Sequence, residues 1–167
     1  MSSSALLGVL SGHTEEEVNV VNAPAIAEER GIRLSETKTT QTRDFADLVR
    51  VSVVGGDQRT RVTGTTVGRR HRPHLLEAWG QRFNLELEPY IAFFRYRDVP
   101  GMIGRVGTCF GEQGINIRSA AVGHSPEDAD AGTAVMVVTT DEPVPESVVD
   151  QIVGTDGFVA GRAVALS

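Results

Sequence analysis

The sequence predicts an α+β protein in two parts, a mixed α/β domain over residues 1–88 and a βαββαβ domain over residues 89–167. Three observations carry this expectation. Short β-branched and alternating runs recur along the chain, separated by Gly-, Asn- and Pro-containing breaks. Apolar residues at helical spacing fill two stretches of the second part. The charge changes at Glu88-Pro89: residues 1–88 hold 11 basic against 12 acidic groups, and residues 89–167 hold 5 against 10. A proline at that junction suits a short connector rather than a strand centre.

In the first part, residues 22–31 read as a short helix, with Asn22 as N-cap, Pro24 in the first turn and Gly31 as the stop. Three β-like runs follow: the Thr-rich stretch 34–42, then 47–54 with Leu48, Val49, Val51, Val53 and Val54, then 59–67. Gly55-Gly56-Asp57 suits a hairpin turn between the last two. A short helical piece is expected from His74 to Trp79, then a strand from Arg82 to Glu88. Together these describe an antiparallel sheet with one or two helices.

In the second part, Tyr90 to Tyr96 is an aromatic-rich strand, broken by Asp98-Val99-Pro100-Gly101. Residues 102–113 form a helix with Ile103, Val106 and Phe110 on its apolar face and Gly114 at its stop. A strand over 115–122, an acidic loop over 124–132 (Glu127, Asp128, Asp130) and a strand over 133–140 follow. A helix over 145–153 with Val148, Val149 and Ile152 inward, and a strand over 158–166, complete the order. This is the ferredoxin-like arrangement.

Composition narrows the function. A chain of 167 residues has no room for a doubly wound cofactor domain plus a separate substrate domain. Its 40% apolar and 23% charged residues are ordinary for a globular chain. A net charge of −6 argues against a nucleic-acid partner. No apolar run approaches the ~20 residues that cross a bilayer, so no membrane partner is expected. The first residues lack a basic n-region and are broken by Gly8, which does not make a signal peptide. The lone Cys109 excludes an intrachain disulfide, a cysteine-based zinc site and an iron–sulfur cluster, and points to a reducing, cytoplasmic setting. It lies beside Phe110 as a packing residue. No G-x-G-x-x-G follows a strand, and His13, His71, His74 and His124 show no metal spacing. Neither a catalytic set, a metal site nor a bound cofactor is expected in this chain.

The Asp98-Val99-Pro100-Gly101 turn opens a helix. Asp98 can cap it, Pro100 fits its first turn, and Gly101 lets another group approach the backbone. Free N–H groups at a helix start attract a carboxylate, and Asp98 beside them could hold an ammonium group. That pairing is the chemistry of an α-amino-acid receptor; the plain alternative is that Asp98 only caps and Gly101 only turns. Asn116, in the run Gly114-Ile115-Asn116-Ile117, points to the face opposite Ile115 and Ile117. A helix from Pro100 to Gln113 is about 20 Å long, so Asp98 and Asn116 cannot share one small ligand within a chain. They can share it across a two-fold axis between two copies.

Tyr96-Arg97-Asp98-Val99-Pro100-Gly101-Met102-Ile103-Gly104 and Gln113-Gly114-Ile115-Asn116-Ile117 resemble an ACT domain, the small amino-acid-sensing regulatory module. The first part resembles the intervening allosteric domain of long-form D-3-phosphoglycerate dehydrogenase, through residues 20–31, Gly64-Thr65-Thr66-Val67 and Gly80-Gln81-Arg82-Phe83. The resemblance, with an actinobacterial cast, is to the C-terminal regulatory region of that enzyme family. It implies L-serine as ligand and feedback inhibitor. Tyr96 and Asp98 would contact it from one subunit, with Gly101 beside them, and Asn116 from the neighbour. Tyr96 stands where other members carry His.

The resemblance further implies an anion site in the first domain, for which this chain offers Arg69, Arg70, Arg72, His74 and Arg82. Arginine forks suit phosphate. This chain departs from the family pattern, which has Lys at His74, Arg at Gln81 and a basic residue at Glu86, and a solvated charged turn is the alternative reading. The implied partners are a second copy of the chain, as a homodimer or a tetramer built from it, and the catalytic domain of the parent oxidoreductase, where NAD would bind. Two other readings stand beside this one: a free-standing amino-acid sensor, and a regulatory subunit of an L-serine dehydratase.

Overall fold

The computed structural model describes residues 2–11, 13–14, 16–37, 47–56, 58–123 and 132–166. The chain falls into two compact units, residues 1–43 and 44–167.

The first unit is helical. α1 (Ser2–Leu10) buries Leu6 and Leu10, one turn apart, and α2 (Ala23–Glu29) buries Ala23, Ile26 and Ala27. These five residues make its core, with Val18 against them. The serines and Gly8 of α1 are weak helix formers, so burial of the two leucines carries this helix, which propensity does not announce. Asn22 stands at the N-cap of α2 as expected but makes no capping bond. Its side chain instead accepts from the Asn19 N–H at 2.7 Å and donates to the Glu17 carbonyl at 2.9 Å. Gly31 stops the helix with a φ of 69°, and the Ile32 N–H returns to the Ala27 carbonyl at 2.8 Å. Residues 34–37, expected to begin a strand, have no regular structure, and the rest of that run lies outside the described residues.

The second unit holds two antiparallel four-stranded sheets. β1 (Leu48–Gly55), β2 (Gln58–Val67), β3 (Arg72–Ala78) and β4 (Gln81–Glu86) form a meander in that order. Gly55 pairs with Gln58, and Gly56 turns between them with a φ of 57°. β3 corrects the helix expected over 74–79. Leu75 and Ala78, three residues apart, are both buried, which imitates a helical period. The cause is a bulge against β2: Gly64 pairs with Leu75 and Thr63 with Glu77, so β3 carries one extra residue, Leu76. Ala78 pairs with Gln81 across Trp79-Gly80, whose φ values of 48° and 77° are those of a type I′ hairpin turn. The Trp79 ring packs edge-on against Phe93 at 6.1 Å, which steadies an unusual backbone for a bulky residue.

β5 (Tyr90–Arg97), β6 (Ile117–Val122), β7 (Thr133–Thr140) and β8 (Phe158–Ala165) form the second sheet in the order β6-β7-β5-β8. α3 (Met102–Glu112) and α4 (Glu146–Val153) cover one of its faces, giving the expected ferredoxin-like βαββαβ fold. Phe94 centres that core, meeting Phe110 at 6.1 Å and Phe158 at 6.0 Å edge-on. α4 lies directly on β8 because Gly161 has no side chain there. The inward face of α3 is Met102, Val106, Cys109 and Phe110. Ile103, expected among them, is 55% exposed, because the spacing of Met102 to Val106 to Phe110 turns it outward. The other face of the sheet, Ile91, Val135 and Val137, is covered by Leu75, Ala78, Phe83 and Leu85 of the meander. The acidic stretch 124–131 lies outside the described residues. Among the described residues, no helix is long and apolar enough to cross a membrane.

Candidate functional site

Three of the residues expected at an amino-acid site come together where β5 runs into α3. Gly101, with a φ of 92°, is the N-cap of α3, in a left-handed conformation that favours glycine. This corrects the expectation that Asp98 caps the helix: Asp98 lies too far back along the turn, and no side chain caps α3. The first helical bond runs from the Arg105 N–H to the Gly101 carbonyl at 3.1 Å. The preceding N–H groups therefore have no partner within the helix, and they carry the positive end of its dipole. A Cβ on Gly101 would meet nothing within 4 Å, so this surface is open.

The Asp98 carboxylate is exposed and makes no hydrogen bond or ion pair to a described side chain. Its backbone is fixed instead. The Asp98 N–H donates to the Gly132 carbonyl at 2.9 Å, and the Val99 N–H to the Arg97 carbonyl at 2.8 Å. Tyr96 is buried, with its ring tilted on Phe158 at 5.8 Å. Burial pushes its phenol above the ordinary value, and the Asp98 carboxylate adds to that rise. Tyr96 thus stays a neutral hydrogen-bonding group under an anionic neighbour.

The turn is braced from the connection between α4 and β8, a feature the sequence did not announce. The Arg97 guanidinium donates to Asp156 Oδ1 at 2.5 Å, and Arg105 donates to the Asp156 carbonyl at 2.5 Å. Gly157, with a φ of 98°, leaves room for Met102, whose Cε would lie 2.9 Å from a Cβ there. Gly132 and Asp156 sit far along the chain from Asp98, so spacing could not have found them; only the pairing of strands brings them in.

Asn116 is apart from these groups. It stands just before β6 and not within it, at the far end of α3. With 11 residues, α3 is about 16 Å long. The Asn116 N–H donates to Asp141 Oδ1, and the Asp141 N–H to the Asn116 carbonyl, both at 3.2 Å. These fix the backbone and leave the exposed side-chain amide without a bond to any described residue. Among the described residues β6 pairs only with β7, which leaves its other edge open, with Arg118, Ser119 and Ala120 exposed along it.

The basic residues of the first sheet are differently placed. Arg69 and Arg70 occupy the exposed turn between β2 and β3, closed by the His71 N–H to the Gly68 carbonyl at 3.1 Å. Arg72 is held by both carboxylate oxygens of Glu86, each at 3.1 Å. His74 pairs directly opposite Glu86 on the neighbouring strand, and its Nδ1 lies 3.1 Å from the Arg72 carbonyl. Arg82 is exposed opposite Glu77, a carboxylate already occupied by Arg61 at 2.5 Å. Glu86 therefore sits among the bases that an anion would need.

Residues 1–78 match the family model described as the D-3-phosphoglycerate dehydrogenase intervening domain, and residues 90–155 match the ACT domain model. The D-3-phosphoglycerate dehydrogenase of Mycobacterium tuberculosis (strain H37Rv) is 34% identical over 146 residues, covering 87% of this chain and 27% of that protein. That of Synechocystis is 31% identical over 155 residues, covering 93% and 27%. That of Archaeoglobus fulgidus is 30% identical over 166 residues, covering 99% and 31%. The chain thus spans between 27% and 31% of the length of these relatives.

Proposed function

Since this chain is an intervening domain of the D-3-phosphoglycerate dehydrogenase type followed by an ACT domain, we propose that it is the regulatory portion of such an enzyme and binds L-serine as feedback inhibitor. The observation that carries the ligand class is the start of α3, capped by no side chain, beside the Asp98 carboxylate, which has no partner among the described residues. The open N–H groups above Gly101 receive the ligand's α-carboxylate, and Asp98 receives its α-ammonium. The neutral Tyr96 phenol completes the pocket from the sheet side.

The second half of each site comes from another copy of the chain. Two copies pairing along the open edge of β6 bring Asn116 of one toward the Asp98 turn of the other, and two equivalent sites result. Ligand bound across that interface strengthens it, which gives the module a means of acting on whatever it is attached to. The nicotinamide chemistry belongs to the remainder of the parent enzyme, and this chain supplies no step of it. Cytoplasmic residence fits that role.

Calorimetry with L-serine, glycine, L-alanine and L-valine tests the ligand. Heat of binding with L-serine and little with the others is expected. Asp98→Ala removes a charge-assisted contact and weakens binding by about tenfold to a hundredfold. A clear signal from L-valine with none from L-serine would rule out the assignment.

A further inference from the structure

We propose that Gln81 is a positioning residue for the amino-acid site: its side-chain amide completes the hydrogen-bonding of β7 where β6 leaves off, and so holds the stretch on which the Asp98 turn hangs. The inference rests on the reading of that turn as an amino-acid receptor.

Gln81 begins β4, on the face turned toward the second sheet, and is only 4% exposed. β6 ends at Val122, and its ladder to β7 closes with the Gly123 N–H donating to the Val135 carbonyl at 2.7 Å. The next two groups of β7 on that side are the Val135 N–H and the Thr133 carbonyl. Both are taken by Gln81. Val135 N–H donates to Gln81 Oε1 at 2.8 Å, and Gln81 Nε2 donates to the Thr133 carbonyl at 2.9 Å. One carboxamide thus pairs with β7 as a peptide of a further strand residue would. The site demands a donor and an acceptor on one planar group. Arg and Lys offer only donors, an ionised Glu only acceptors, and Leu neither.

Gly123 makes the approach possible. A Cβ there would lie 2.7 Å from Gln81 Cβ and 2.6 Å from Phe83 Cζ. On the opposite side of β7 lies the ligand turn. Ala134 pairs with Tyr96 and Thr133 with Arg97, and the Gly132 carbonyl accepts the Asp98 N–H. Residues 132–135 are therefore gripped from both sides: by the end of β5 that carries the site, and by the first sheet through Gln81. Release of one grip loosens the other, since the four residues are consecutive. Gln81 touches no ligand; it acts through Thr133, Gly132 and then Asp98.

The test combines L-serine calorimetry with amide hydrogen exchange on the full chain. Gln81→Leu removes both bonds, and faster exchange at the Val135 and Asp98 amides with L-serine affinity weakened at least about threefold is expected. Gln81→Glu keeps the acceptor and has a donor only while protonated. Its affinity loss relative to wild type grows as pH rises through the titration of that carboxyl. A purely packing role gives a loss that does not change with pH, and that result overturns the proposal, as does unchanged Asp98 exchange in Gln81→Leu. If Gln81→Leu fails to fold, the pH profile of Gln81→Glu decides alone. If the wild-type chain takes up no L-serine, the receptor reading has failed, and Asp98 exchange in the variants still decides whether Gln81 holds the turn.

Discussion

Replacing Gly161 by Ala should loosen the seat of α4 on the sheet. The added Cβ would lie 2.7 Å from Val153 Cγ2, 2.8 Å from Val149 Cγ1 and 3.1 Å from Phe94 Cδ1. Carbon atoms prefer about 3.5–4.0 Å, so the two valine contacts are short by roughly 0.7 Å or more. Valine has one strongly preferred rotamer in a helix and cannot swing a methyl away cheaply. Val149 and Phe94 are buried, so the strain passes into the core. Overpacking of this kind costs about 1–3 kcal/mol. Restricting the unfolded chain returns about 0.5 kcal/mol. The net loss is about 0.5–2.5 kcal/mol, or roughly 1–10 °C in midpoint for a chain of this size. Urea and thermal unfolding followed by circular dichroism measure it. Val149→Ala opens space beside the new methyl, so the double variant should lose less than the sum of the two singles. Unchanged or raised stability in Gly161→Ala, or strict additivity with Val149→Ala, would refute the packing argument.

Three further expectations concern single groups. The Tyr96 phenol lies above its ordinary value of 10.0 because burial and the Asp98 carboxylate disfavour the phenolate. A raised value in the folded state gives stability that is full below the unfolded value and is lost as pH climbs through the folded one; wild type should therefore lose stability above about pH 10, and Tyr96→Phe should lose less, in urea titrations at stepped pH. Burial raises the Cys109 thiol, with the Glu112 carboxylate adding to it, so its alkylation at pH 8 should be far slower than that of the urea-unfolded chain; equal rates would show an open thiol. Arg72→Ala breaks an exposed ion pair with Glu86, and the change in unfolding free energy should stay within about 1 kcal/mol.

Most of the second domain was legible in the sequence. Its strands alternate or run apolar, its helices carry clean stripes, and Gly114 marks a stop that the structure keeps at a φ of 75°. The first domain was less so, for reasons that can be named. A bulge in β3 gave Leu75 and Ala78 a helical spacing, and only cross-strand pairing reveals it. α1 depends on two buried leucines rather than on helix-forming residues. At the site, Asp98, Gly101 and Tyr96 could be gathered from sequence because they are neighbours on one turn. The capping role moved from Asp98 to Gly101 because a left-handed glycine, not a side chain, starts α3. Gln81 read as a departure from a basic pattern, since nothing in its neighbourhood tells of the Thr133 carbonyl, 52 residues away, to which it donates.

The second sheet is apolar on both faces, one under α3 and α4 and the other under the meander. The family boundary falls between residues 78 and 90, yet β4 lies within that gap and is part of the cover. Severing the chain at Pro89 would strand Ile91, Val135 and Val137 in water and leave the Val135 amide unmatched. Descent and folding therefore divide this molecule in different places. An ACT module lifted from here into another protein would have to bring its lid along or find a new one, so the portable unit is larger than the recognisable one.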